Sequence, residues 1–181
     1  MLLKTQAGNP ILRKKARALS VSKIKTDEIQ NLIKQMFFTL RKSHGVGLAA
    51  PQINQSLRLA VMEVKASKKN KKIKALKKTA VINPRILELS KETASDWEGC
   101  LSIKGIWAKV PRSTSVTVEY YNELAEKITE THTGLHAVIF QHEIDHLEGI
   151  LFIDRVQDTK TIITESEYRN RILKKKKTKK V

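Results

Sequence analysis

Nine residues near the end of the chain, Gln141 to Gly149 (QHEIDHLEG), restrict the fold more than any other stretch. They hold two of the chain's five histidines, four positions apart, with Glu143 directly after the first. On a helix, residues four apart stack one turn from each other, so His142 and His146 can both reach one metal ion. Glu143 lies about 100° further round the helix. Its carboxylate cannot ligate with the same geometry, but it can reach a water activated by that metal. Two ligands and one general base are the mechanical content of an H-E-x-x-H segment. The chain must therefore bury a helix with both histidines turned inward. It must also bring a further ligand to them, because catalytic metal sites commonly use three protein ligands.

The remaining donors are few. His132, His136, Cys100 and the acids after residue 150 are the candidates. His132 precedes the helix and would have to turn back onto it, and the late acids fall in polar segments. Cys100 is the better choice. It sits in Glu98–Ser102 (EGCLS) on an otherwise extended segment, and a thiolate is a strong ligand for zinc or ferrous iron. As the only cysteine it forms no internal disulfide, so nothing suggests an oxidising compartment. A nucleophilic Cys100 paired with one histidine would leave Glu143 and the second histidine without a role.

The rest of the pattern is that of one α+β domain. Thr26 is a plausible N-cap for a helix with apolar residues at Ile29, Leu32, Ile33, Met36, Phe37 and Leu40, stopped at Gly45. Gly45–Gln52 (GVGLAAPQ) reads as a loop with special backbone needs, matching neither a Walker loop nor a dinucleotide fingerprint. Strands are expected at Leu57–Val64, at AVINPRILEL with a break at Pro84, and at Ser115–Tyr121 paired with Glu126–Thr131. A second helix spans roughly Gly134–Glu148 with Thr133 as N-cap. A third covers TESEYRNRILKKKK, with Thr164 and Glu167 as a capping box. Strands grouped between helices, without regular βαβ alternation, predict antiparallel sheets around the central histidine-bearing helix. The length of 181 residues suits a single compact domain.

No apolar run approaches the roughly 18–20 residues of a membrane helix, and the N-terminal MLLKTQAGNP lacks a signal-like apolar stretch, so the expected compartment is the cytoplasm with no membrane contact. The net charge is +17, and the tail Arg169–Val181 carries eight of the basic residues, leaving +9 without it. Lys65–Lys78 carries eight more. Such a balance favours polyanions through counterion release, and it equally fits solvated loops and tails, since no RNA-binding motif accompanies it.

Three segments together, GVGLAAPQ, EGCLS and QHEIDHLEG, resemble in order and spacing the three signature motifs of peptide deformylases. The resemblance runs from NPILRKKA to LFIDR. It implies a compact α+β hydrolase that removes the formyl group from the N-terminal formylmethionine of new proteins. It implies metal ligation by Cys100, His142 and His146, with Glu143 as general acid/base. Gln52 and the backbone N–H of Leu101 would stabilise the oxyanion. Gly47 and Gly99 would bind the substrate backbone, and Val46, Leu135, Val138 and Ile139, which flank the motifs, are candidates for the methionine pocket. One divalent ion per chain is implied, Fe2+ in the usual case, with Zn2+, Ni2+ or Co2+ as substitutes. The partners would be N-formylmethionyl nascent peptides, and the ribosome or its RNA through the basic tail. Residues 1–168 would form the catalytic domain and residues 169–181 that tail.

The sequence departs from the family pattern at Lys104, where proline is usual, and at Trp107, where arginine is common. Trp107 is read as lining the substrate cleft. A metallopeptidase of the H-E-x-x-H type is the alternative enzyme, though such peptidases take a histidine or an acid as third ligand. An RNA-binding protein with a structural metal site is the alternative outside enzymes. It would not require Glu143 or Gln52, and it would need a fourth ligand that the sequence does not supply.

Overall fold

The computed structural model describes residues 2–66 and 74–174. Much of the lysine cluster expected at Lys65–Lys78, and the tail from residue 175 onward, lie outside the described residues. Two antiparallel sheets and a central helix carry the architecture. The five-stranded sheet has the order β1-β2-β3-β6-β7, with β1 Gly47–Ala49, β2 Leu59–Val64, β3 Leu76–Leu89, β6 Ser115–Tyr121 and β7 Lys127–Thr133. The three-stranded sheet has the order β4-β5-β8, with β4 Thr93–Cys100, β5 Ile103–Ser113 and β8 Ile163–Thr164. Helix α1 spans Asp27–Lys42 and α2 spans Gly134–Leu147. A short C-terminal helical segment, α3 Glu165–Glu167, continues through wider turns over Tyr168–Leu173. Among the described residues no helix is long and apolar enough to cross a membrane.

Strand β2 explains how one sheet serves two cores. Its side chains alternate between faces. Leu59 and Val61 pack with α1 through Ile33, Met36, Phe37 and Leu40, whereas Ala60, Met62 and Val64 pack with α2 through Ala137, Phe140, Ile144 and Leu147. Both faces of this strand are buried, so its sequence LAVMEV is nearly all apolar. Helix α2 is enclosed on most sides for the same reason: Gln141 and residues 143–147 are all buried. A third cluster, Ala108, Val110 and Phe152, lies on the inner side of the smaller sheet, where the chain returns past α2.

Several expected details differ. Pro84 does not break β3. The strand passes through it with a register shift between Ile82 and Arg85, where Asn83 adopts φ 52°. The Asn83 amide accepts from the Leu19 N–H at 2.9 Å and donates to the Leu19 carbonyl at 2.7 Å, which holds the bulge. A proline at a bulge forfeits no ladder hydrogen bond. GVGLAAPQ is not a plain loop: it forms edge strand β1 followed by a 3-10 turn at Ala50–Ile53. Thr26 stands at the N-cap of α1, but its hydroxyl donates to the Lys23 carbonyl instead of capping the helix. Thr164 does cap α3, accepting from the Glu167 N–H at 3.4 Å. His132 does turn onto α2, where its ring stacks on Phe140 with centroids 4.0 Å apart.

Candidate metal centre and active site

Helix α2 and strand β4 meet where the chemistry was expected. Cys100 ends β4, and the tight turn at Leu101–Ser102 leads into β5. One donor atom each from Cys100, His142 and His146 falls within 4.8 Å of the others, the only such group among the described residues. Cys100 Sγ lies 3.2 Å from His146 Nε2. The Nδ1 of His142 is 2.7 Å from Glu98 Oε2, which leaves Nε2 as the nitrogen available to a metal. A histidine whose second nitrogen bonds a carboxylate is the usual support for metal ligation, because the contact fixes the tautomer and raises ligand basicity. The donor set of one thiolate and two imidazoles fits a divalent transition metal.

Glu98 is itself held. The Arg112 guanidinium donates to both of its oxygens, at 2.8 and 3.1 Å. Arg112 also donates to Asp145, which accepts from Arg155. Burial opposes the charge on Glu98, but His142 and Arg112 overcome it and hold the carboxyl below its ordinary range. Burial likewise disfavours a charged His142, and contacts with Cys100 and Glu98 reverse that effect and raise its pKa well above normal. Burial, aided by the positive charges of His142 and Arg112, pushes His146 well below normal.

Glu143 occupies a different position. Its carboxylate is buried, and Oε2 has no hydrogen-bond partner among the described residues. Burial pushes its pKa up to about 7, a value that would suit a group exchanging a proton near neutrality. The space beside it is kept open by Gly47. A Cβ at Gly47 would lie 2.1 Å from Glu143 Oε1, so this glycine is needed for close approach.

Gln52 is aimed by its surroundings. Its Oε1 accepts from the Ala49 N–H at 2.8 Å, which turns the NH2 group toward Ser102 Oγ at 3.2 Å and Cys100 Sγ at 3.4 Å. The N-terminal segment ties this region down. The Thr5 N–H donates to the Gln52 carbonyl at 2.7 Å, Ala7 N–H to Ser102 at 2.8 Å, and the Gln6 side chain to the Leu101 carbonyl at 3.1 Å.

Of the apolar candidates, Val46 and Leu135 are 42% and 39% exposed. Val138 is half-buried, and Ile139 belongs to the core between α2 and the large sheet. Gly99 lies against Trp107, and Trp107 stacks on Tyr168 with centroids 3.9 Å apart, so the indole is engaged within the chain instead of lining the cleft as expected. Sequence reasoning missed Glu98, Arg112, Asp145 and Ser102 as supports. Glu98 could have been found from its place two residues before Cys100, which puts both side chains on one face of a strand. Arg112 is one of 35 basic residues and carries no local signal.

Comparison with known proteins agrees with this arrangement. The family model described as polypeptide deformylase matches residues 4–161. The chain belongs to that family. It is 43% identical over 169 residues to "Peptide deformylase 2" of a Nostoc species, covering 93% of each chain. It is 40% identical over 156 residues to the peptide deformylase of Thermotoga petrophila, covering 86% of this chain and 87% of the relative. A class I type b peptide deformylase from Acinetobacter baumannii, solved with Met-Ala-Ser bound, superposes with a TM-score of 0.82 at 32% identity, over 86% of this chain and 98% of that one. The family is metal-dependent, in keeping with the Cys100, His142 and His146 group.

Gly47→Ala is expected to displace Glu143 and to lower hydrolytic activity by about 10²-fold or more, the scale of a lost general base. Metal analysis of the same variant should still return one ion per chain. Wild-type activity in Gly47→Ala would contradict the close approach of strand and carboxylate.

Proposed function

We propose that the chain removes the formyl group from N-formylmethionyl peptides by metal-assisted hydrolysis, releasing formate. The observation that carries this reading is the placement of buried Glu143, with its partnerless oxygen, on the same helix as His142 and His146 and beside Cys100, in a member of the polypeptide deformylase family.

Cys100, His142 and His146 would hold one divalent ion, ferrous iron as the family resemblance implies; zinc, nickel or cobalt accept the same thiolate and imidazole donors and could substitute. Such an ion supplies Lewis acidity, which acidifies water and polarises a carbonyl. Glu143 takes the proton of the attacking water and passes it to the leaving amine. The leaving nitrogen need not be protonated beforehand, because the proton arrives as the C–N bond breaks. The Gln52 NH2 and the Leu101 N–H donate to the developing oxyanion, each for a few kcal/mol in comparable sites, on the order of 3.

The substrate binds as an added strand. β1 is an edge of the large sheet, and a peptide laid along Gly47 would bring its N-terminal acyl group toward Glu143. Val46 and Leu135 would cover the methionine side chain, with Val138 and Ile139 behind them. Gly99 would contact the peptide backbone from the opposite strand. The relative from Acinetobacter baumannii, seen with Met-Ala-Ser, supports a peptide that begins with methionine.

The chain would act in the cytoplasm on nascent peptides, and its basic tail would contact ribosomal RNA. Removing residues 169–181 should weaken co-sedimentation with ribosomes at moderate salt, and unchanged co-sedimentation would end that part of the reading.

The reaction itself is tested by formate release from a formyl-Met tripeptide, using protein purified anaerobically. Rapid release is expected, with a fall of about 10²–10⁴-fold in Glu143→Ala, the usual size of a general acid/base contribution. No release from fully metal-loaded protein would overturn the assignment of substrate.

A further inference from the structure

The hairpin of β4 and β5 has an inner and an outer face. Glu98 and Cys100 share one parity and point to α2, where they meet His142 and His146. Trp97 and Gly99 share the other parity. Gly99 pairs with Trp107 across the hairpin, and Trp107 pairs on its other side with Ile163 of β8. A Cβ on Gly99 would fall 2.8 Å from the indole of Trp107. The absence of that Cβ lets the indole press directly on the β4 backbone, between the residue that supports His142 and the residue that supplies the thiolate.

Tyr168 closes the stack. The chain turns at Thr164, and the C-terminal helical segment lays Tyr168 on Trp107 with centroids 3.9 Å apart and planes 5° apart. The same ring meets Trp97 at 5.8 Å and a 55° tilt. Lys109 Nζ covers the Trp97 ring at 5.9 Å. Aromatic contacts of this kind add attraction beyond the area they bury. The residues that would perform the hydrolysis use none of these groups.

We propose that Tyr168, acting through Trp107 on the backbone of Gly99, is a positioning residue for Cys100, so that the C-terminal segment helps to hold the metal. The inference rests on the reading of Cys100 as a ligand. Supports one step removed from a metal commonly change its affinity by about 10–100-fold when removed.

The test uses the full chain loaded with cobalt. Three readouts are followed: the cobalt–thiolate charge-transfer absorption, the rate at which a chelator strips the cobalt, and the melting temperature. Tyr168→Ala is expected to release cobalt about 10-fold faster and to alter the thiolate absorption. Tyr168→Phe keeps the ring and should match wild type, as should Leu173→Ala on the same segment. If Tyr168→Ala does not fold, Tyr168→Leu keeps apolar cover without a flat ring and should show the same faster release. A folded variant lacking the ring that releases cobalt at the wild-type rate, with an unchanged absorption, would overturn the proposal even if it melts lower. Wild-type protein without any thiolate absorption would overturn both this inference and the ligand set, whereas a normal wild type beside an unaffected Tyr168→Ala overturns the inference alone.

Discussion

The Glu98 carboxylate is the contact on which the site depends. It joins β4 to α2 through His142 and joins β4 to β5 through Arg112, all below the protein surface. A buried carboxylate is costly unless its charge is matched, and removing one partner of such a pair costs about 3–5 kcal/mol. Arg112 matches it, and Asp145 and Arg155 extend the pairing across α2. With β4 fixed in this way, Cys100 stands two residues further along the same face of the strand. The thiolate and the histidines then meet without either element having to search for the other. The same contact sets the tautomer of His142, so structure and ligand chemistry depend on one carboxylate.

Helix α2 could not serve this role if it were an ordinary surface helix. Its histidines face the small sheet, while Phe140, Ile144 and Leu147 fill the core under the large one. Enclosure raises the proton affinity of Glu143 and lowers that of His146, and both shifts suit the roles proposed for them. The approach of β1 to Glu143 at Gly47 leaves an edge strand next to that carboxylate. A rigid pair of sheets thus surrounds a small reaction space, as catalysis by positioning requires.

Much of this was legible in the sequence because its signals are local. The stripe from Ile29 to Leu40, the β-branched run Ser115–Tyr121 and the spacing of His142 and His146 each reflect one element's own periodicity, and each element appears within a residue or two of its expected bounds. The choice of Cys100 followed from elimination among few donors. The unread parts depend on partners distant in sequence. Pro84 is tolerated because Asn83 bonds Leu19, 64 positions away. Gly47 is required by Glu143, and no φ or turn pattern announces that. Arg112 is hidden among many exposed cations. Trp107 gave an apolar surface without naming its partner, which is Tyr168 on a segment that reads from sequence as a charged helix.

The central claim is that one thiolate and two imidazoles converge on a single metal ion. X-ray absorption at the zinc edge of the zinc-loaded protein addresses it most directly. The account predicts one ion per chain with one sulfur at about 2.3 Å and two imidazole nitrogens at about 2.0–2.1 Å. A first shell of nitrogen and oxygen alone would contradict it, and would remove Cys100 from the centre on which the structure is organised.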